Sequence, residues 1–126
     1  MSKRVLVIDD ENSVGTLLRF NLRQKGYTVE IAESAAEGLE KARGRCFDLV
    51  ILDVALPGID GIEACQLLKS MENYAETPVI MISSRSDSVT IDKARRAGAA
   101  DYLVKPFTFE ELQQRIQDQL ARPFIT

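Results

Sequence analysis

Histidine is absent from the 126 residues. That removes Ser-His triads, Cys-His dyads and histidine-ligated zinc from this chain's own repertoire. Any metal it holds must be bound by oxygens, which points to Mg²⁺, Mn²⁺ or Ca²⁺. Cysteine is scarce. Cys46 and Cys65 stand far apart with no C-x-x-C motif, and they read as reduced, packed thiols, with a disulfide or redox role as the lesser alternative. No apolar run approaches ~18 residues, so no segment reads as a membrane span. Met1-Ser2-Lys3-Arg4 leads into only a short apolar run and lacks the features of a signal peptide, so the expected location is the cytoplasm. The net charge of −3 is too mild for a general nucleic-acid binder. Neither direct nucleic-acid binding nor membrane association is expected. Internal repeats and low-complexity linkers are also missing, and the length suits one domain.

What is present is a fivefold alternation. Strand-like apolar runs fall at Val5–Ile8, Thr28–Ala32, Leu49–Leu52, Val79–Ile82 and Tyr102–Val104. Most are continuous, as strands buried on both faces of a parallel sheet require. Thr28–Ala32 alternates more and suits an edge. Helical segments lie between them. In the first, Val14, Leu17, Leu18 and Leu22 recur at helical spacing and Gly26 ends it. The second opens on the capping box Ser34-Ala-Ala-Glu37 and ends near Gly44. The third runs from about Gly61 to Met71, with Ile62, Cys65 and Leu68 on one stripe. The fourth covers about Asp87 to Ala97 and is closed by Gly98. The fifth opens on a second capping box, Thr108-Phe-Glu-Glu111, and ends before Pro123. This order implies an α/β doubly wound parallel sheet built from right-handed βαβ units.

Ligands of such sheets sit at the carboxyl ends of strands, near the point where strand order reverses. Strand one ends in Asp9-Asp10-Glu11, strand three in Asp53, strand four in Ser83-Ser84 and strand five in Lys105-Pro106. Singly, an aspartate there often only caps the next helix, a serine bonds to backbone and a lysine is solvated. Together they fit one chemistry. Two carboxylates ~4 Å apart repel by roughly 4 kcal/mol at an effective dielectric near 20, and a divalent cation among them offsets that. A lysine and a hydroxyl then complement an incoming phosphoryl group. A carboxylate can act as a nucleophile and form an acyl phosphate. With no histidine and no suitable cysteine, Asp53 in the middle of the rim is the best nucleophile available. Leu56-Pro57-Gly58 after it reads as a turn.

The segments "VLVIDDE", "DLVILDVALPGIDG", "PVIMISS", "GAADYLVKPF" and "TFEELQQRI" resemble, in order and spacing, the receiver (CheY-like) domain of bacterial response regulators, the phosphoacceptor half of two-component signalling. The resemblance covers about Lys3 to Leu120. It implies a flavodoxin-like five-stranded sheet of order 2-1-3-4-5. It implies that Asp53 accepts a phosphoryl group from a phosphohistidine on a sensor histidine kinase or histidine phosphotransfer protein, in a signalling switch rather than a turnover enzyme. Asp10, Asp53 and the backbone carbonyl of Ala55 would hold Mg²⁺, with Mn²⁺ as the alternative and Asp9 acting through water. Lys105 and Ser83 would bind phosphoryl oxygens, and the Lys105–Pro106 peptide would be cis. Ser83 and Tyr102 would form the switch; the plainer reading of Tyr102 is a half-buried ring with a wet hydroxyl. The output face would be the fourth helix, fifth strand and fifth helix, open to a downstream effector protein or domain, or to a homodimer. Lys93, Arg95 and Arg96 on the fourth helix suit either a solvated face or an acidic partner. Ala55 cannot orient an attacking water and so implies a longer phosphorylated lifetime, and Arg85 is placed to shield the site.

Two other readings compete. A phosphatase using an aspartyl phosphate would want a second aspartate close after Asp53, where Val54 and Ala55 stand; the next acid is Asp60. A flavin module of the same fold class would want a Gly-, Ser- or Thr-rich loop after strand one, where acids stand. The expected domain is residues 1–122. Residues 123–126 read as a C-terminal tail or the start of a linker, ending either a stand-alone regulator or a receiver cut before an effector domain.

Overall fold

The computed structural model describes residues 2–121, except the side chains of residues 12 and 13. Five parallel strands form one sheet: β1 (Arg4–Ile8), β2 (Thr28–Ala32), β3 (Leu49–Asp53), β4 (Val79–Ser83) and β5 (Asp101–Val104). Their order is β2-β1-β3-β4-β5, so Thr28–Ala32 does lie at an edge. Five helices connect them: α1 (Asn12–Gln24), α2 (Ala35–Gly44), α3 (Gly61–Lys69), α4 (Ser88–Arg96) and α5 (Phe109–Ala121). The tail assigned to residues 123–126 lies outside the described residues.

Strand side chains alternate between faces, and this divides the core in two. Val5, Val7, Leu49, Ile51, Ile80, Ile82 and Leu103 pack with Leu18 and Leu22 of α1 and Leu112 and Ile116 of α5. Leu6, Ile8, Val50, Leu52, Val79 and Met81 pack with Leu39 of α2, Cys65 and Leu68 of α3 and Ala94 of α4. Because both faces are covered, the strands carry continuous apolar runs.

The second capping box forms in full: Thr108 and Glu111 cap each other, at 3.1 and 3.0 Å. The first forms by half: Ser34 Oγ accepts from Glu37 N–H at 3.1 Å, while the Glu37 carboxylate accepts from Glu33 N–H at 2.9 Å rather than from Ser34. Asp60 and Asp87 cap α3 and α4. Three expectations need correction. Leu17 is 60 % exposed, because α1 turns its Leu18–Leu22 ridge to the sheet and leaves the neighbouring row outside. The third helix ends at Lys69, and a 3₁₀ turn, Glu72–Tyr74, follows. There the buried Tyr74 O–H reaches the Ala42 carbonyl at 2.7 Å and the Arg45 carbonyl at 2.6 Å. Cys46 is exposed rather than packed. Cys65 is buried, and burial pushes its thiol up to about 11.

Gly58 takes φ 76° in the expected turn. Gly61 serves a different need. A Cβ there would overlap the Asp53 carbonyl oxygen and lie 2.7 Å from the Val54 Cα, so only glycine lets α3 start this close to the end of β3. Gly61 N–H also donates to the Val54 carbonyl at 2.8 Å. Helix propensity alone favours alanine by at most ~1 kcal/mol. We therefore expect Gly61→Ala to destabilise the protein by about 1–3 kcal/mol through overpacking, read as a lower urea midpoint; an unchanged or higher midpoint would refute the close-approach argument.

Candidate functional site

The strand order reverses between β1 and β3, whose registers pair Ile8 with Leu52. The residues just beyond that pair are the acids. Asp9 N–H donates to the Ala32 carbonyl at 3.0 Å, which continues the β1–β2 ladder and keeps Asp9 inside the rim. The β3–β4 register pairs Asp53 with Ile82, and the β4–β5 register pairs Ser83 with Val104. Lys105 N–H donates to the Ser83 carbonyl at 2.8 Å. Four strand ends are thus level at one rim.

Asp9 and Asp53 are 0 % and 3 % exposed, and Ser83 is 1 % exposed. Asp10 faces solvent. A carboxylate oxygen from each of Asp9, Asp10 and Asp53 lies within 4.8 Å of the other two. Lys105 Nζ donates to Asp53 Oδ2 at 2.8 Å, Glu11 Oε1 at 3.0 Å and Asp9 Oδ2 at 3.4 Å. Asp53 Oδ1 accepts from Ala55 N–H at 2.9 Å, and Asp9 Oδ1 from Glu11 N–H at 2.8 Å. The Lys105–Pro106 peptide is cis.

Burial raises the Asp9 carboxyl above the usual 3.8; the Glu11 N–H opposes this, the Asp53 charge adds to it, and the Lys105 charge again opposes it. Burial alone would pull the Lys105 ammonium down, but hydrogen bonds to Asp53 and Glu11 and the nearby carboxylate charges outweigh it, and its pKa is raised.

The structure brings Asp9, Asp10, Asp53, Ser83 and Lys105 of the sequence reading together at one rim. That reading missed Glu11 as a partner of Lys105; the only signal was the third acid in the row. Glu11, not Asp9 or Asp10, is the N-cap residue of α1, and it makes no side-chain capping bond. Ser83 Oγ accepts from Arg85 N–H at 3.0 Å. The Tyr102 ring is half-buried, and its O–H donates to the Arg85 carbonyl at 2.7 Å. Arg85 itself turns its Nε to Asp87 Oδ1 at 3.1 Å. On α4, Arg95 and Arg96 pair with Asp92, while Lys93 is exposed. Beside Lys105 lies an open groove of about 460 Å³ lined largely by Val14, Leu17, Leu18, Phe107 and Phe109.

The family model of the response regulator receiver domain matches residues 5–117. The chain belongs to this family. It is 38% identical over 122 residues to the alkaline phosphatase synthesis transcriptional regulatory protein PhoP of Bacillus subtilis, covering 97% of this chain and 50% of that protein. It is 36% identical over 119 residues to the response regulator ArlR of Staphylococcus aureus (strain Mu50), covering 94% and 53%. The chain spans about half the length of the curated relatives it matches. Among solved structures it superposes on the chemotaxis protein CheY4 of Vibrio cholerae with TM-score 0.92 and 32% identity, covering 95% of this chain and 100% of that one. It also superposes on a CheY-like receiver domain protein of Methanospirillum hungatei with TM-score 0.91 and 29% identity, covering 95% and 94%. The fold is therefore the CheY-like flavodoxin type, and the chain is a receiver domain of two-component systems. The phosphatase reading falls with this, and the site agrees: the next acid, Asp60, is used as a helix cap, accepting from Glu63 N–H at 2.9 Å. The flavin reading falls too, because the acids after β1 would repel a phosphate.

Asp9 carries a stability cost that follows from its position. Its folded pKa stands above 3.8, so the stability its carboxyl contributes is complete below that pH and is lost as pH rises through the folded value. At neutral pH without metal, the ionised group is a burden. Asp9→Asn should raise the metal-free melting temperature at pH 7 by about 2–5 °C, with the gain vanishing at pH 3, and added Mg²⁺ should raise the wild type more than the variant. Calorimetry at the two pH values checks this.

Proposed function

We propose that this receiver is a Mg²⁺-dependent phosphorylation switch with Asp53 as its phosphoacceptor. The observation that carries the reading is Lys105 Nζ at 2.8 Å from Asp53 Oδ2, beside three carboxylates close enough to share one cation. An Asp53 oxygen attacks the phosphorus of a phosphohistidine on a sensor histidine kinase or histidine phosphotransfer protein. The N–P bond breaks and an O–P bond forms. Attack by water later breaks that bond and returns the carboxylate. The chain thus promotes its own phosphorylation and dephosphorylation without turning over a free substrate.

Asp10, Asp53 and the Ala55 carbonyl would hold the cation, Mg²⁺ or Mn²⁺, with Asp9 joined through water; the donor set is all oxygen, as either ion prefers. When bound, the ion would neutralise charge on the transferring group, whose loose transition state depends on positioning and electrostatics. Lys105 places its ammonium against one phosphoryl oxygen. The Ser83 hydroxyl leaves Arg85 N–H and donates to another. Because the Tyr102 hydroxyl hangs on the carbonyl of the same Arg85, a shift of Ser83 and Arg85 releases the ring to turn inward. The α4-β5-α5 face is then remodelled for a downstream effector protein or domain, or for a homodimer. The groove beside Lys105 borders the approach to Asp53 and suits the donor protein. No helix among the described residues is long and apolar enough to cross a membrane, and we assign the cytoplasm as the place of action.

Incubation with Mg²⁺ and acetyl phosphate should add one phosphoryl group by intact mass, and Asp53→Ala should abolish the gain; a gain that persists in the variant would defeat the assignment. Ala55 presents only a methyl group beside the site, so water attacking the acyl phosphate has no side chain there to orient it. Ala55→Asn should shorten the phosphorylated half-life several-fold, because its amide would orient the attacking water. Timing phosphate release from both proteins checks this, and equal decay would remove Ala55 from the account.

A further inference from the structure

We propose that Glu11 is a positioning residue that holds Lys105 at the rim of the resting site and must release it before a phosphoryl group is stabilised. The proposal rests on the phosphoacceptor reading above. The N-cap position ordinarily carries Ser, Thr, Asp or Asn, whose short side chain accepts from the first helical turn. Glu11 occupies that position in α1 and makes no such bond. Its carboxylate turns instead to Lys105 Nζ, 94 residues away in the chain. The root of the side chain is fixed: Glu11 N–H donates to Asp9 Oδ1 at 2.8 Å, and the Glu11 carbonyl accepts from Val14 and Gly15 at 3.0 and 3.2 Å.

An ammonium has three protons to donate. Those of Lys105 face three carboxylates: Asp53, Glu11 and Asp9. An incoming phosphoryl oxygen gains one only by displacing one acid. Asp9 and Asp53 side chains are 0 % and 5 % exposed, whereas Glu11 is 57 % exposed. Leaving a buried carboxylate unpaired is far more unfavourable than returning an exposed one to water. Glu11 is therefore the partner that Lys105 gives up. A neutral glutamine offers only an uncharged amide acceptor, which holds that N–H more weakly than a carboxylate and which a phosphoryl oxygen displaces readily, so loading should quicken.

The test uses wild type, Glu11→Gln and Glu11→Asp. Aspartate keeps the charge but is one methylene too short to keep the contact. Loading from acetyl phosphate at saturating Mg²⁺, followed by intact mass, should be roughly threefold faster in both variants, the factor an exposed ion pair supplies. In metal-free protein the ¹⁵N signal of the Lys105 ammonium should shift, and its protons should exchange faster, in both. Wild-type loading rates in both variants overturn the proposal, whatever the Lys105 signal does. Acceleration in Glu11→Gln alone also overturns it, since Glu11 would then act only as a bare charge. Failure of the wild type itself to gain a phosphoryl group would instead defeat the phosphoacceptor reading; an unmoved Lys105 signal would then still reject the Glu11 contact.

Discussion

One ammonium holds the site together. Asp9 and Asp53 are buried acids at the ends of neighbouring strands, and without a cation their repulsion would force them apart or into water. Lys105 Nζ lies within hydrogen-bonding distance of both. It reaches them from the far edge of the sheet, because β4 intervenes between β3 and β5. The depth of the lysine matters as much as its charge: it is 19 % exposed, so its field is weakly screened. Among the described residues, this ammonium is the charge partner that both buried acids share.

The rest of the fold serves that arrangement. Two apolar faces anchor the strands in register, and register alone decides that Asp53, Ser83 and Lys105 end level. Gly61 lets α3 begin against the last peptide of β3, and its N–H holds the carbonyl of Val54, the residue after Asp53, at 2.8 Å. The Asp53 carboxylate then has one oxygen on Ala55 N–H and the other on Lys105, which leaves little freedom of rotation. Such preorganisation is what the phosphoryl transfer proposed above would ask of the site.

Arg85 joins the site to the outer face by backbone alone. Its N–H serves Ser83 and its carbonyl serves Tyr102, so the two hydroxyls hang on the backbone of a single residue. Its side chain is tied back by Asp87, which also caps α4 by accepting from Thr90 N–H at 3.0 Å. Hydrogen bonds to Thr90 hold the Asp87 carboxyl down to about 2, so this tie keeps its charge at any physiological pH. The loop between β4 and α4 is therefore a small network with two defined ends, the kind of element a local charge can bias.

Much of this was legible in the chain itself. Continuous apolar runs announced a sheet covered on both faces, Ser34-x-x-Glu37 and Thr108-x-x-Glu111 announced helix starts, and acids after β1 and β3 with lysine after β5 announced a cluster of opposite charges at one rim. These signals are local: a period, a cap, a residue type at a strand end. What only the tertiary structure decided is which groups meet. Leu17 shares the helical spacing of Leu18 and Leu22 yet faces out, because the angle at which α1 packs on the sheet is set by its neighbours. Glu11 reads as one more acid until the sheet brings Lys105 across 94 residues to its carboxylate. Propensity and periodicity act over a few residues, whereas ion pairing and burial act over distances in space that only the folded chain defines.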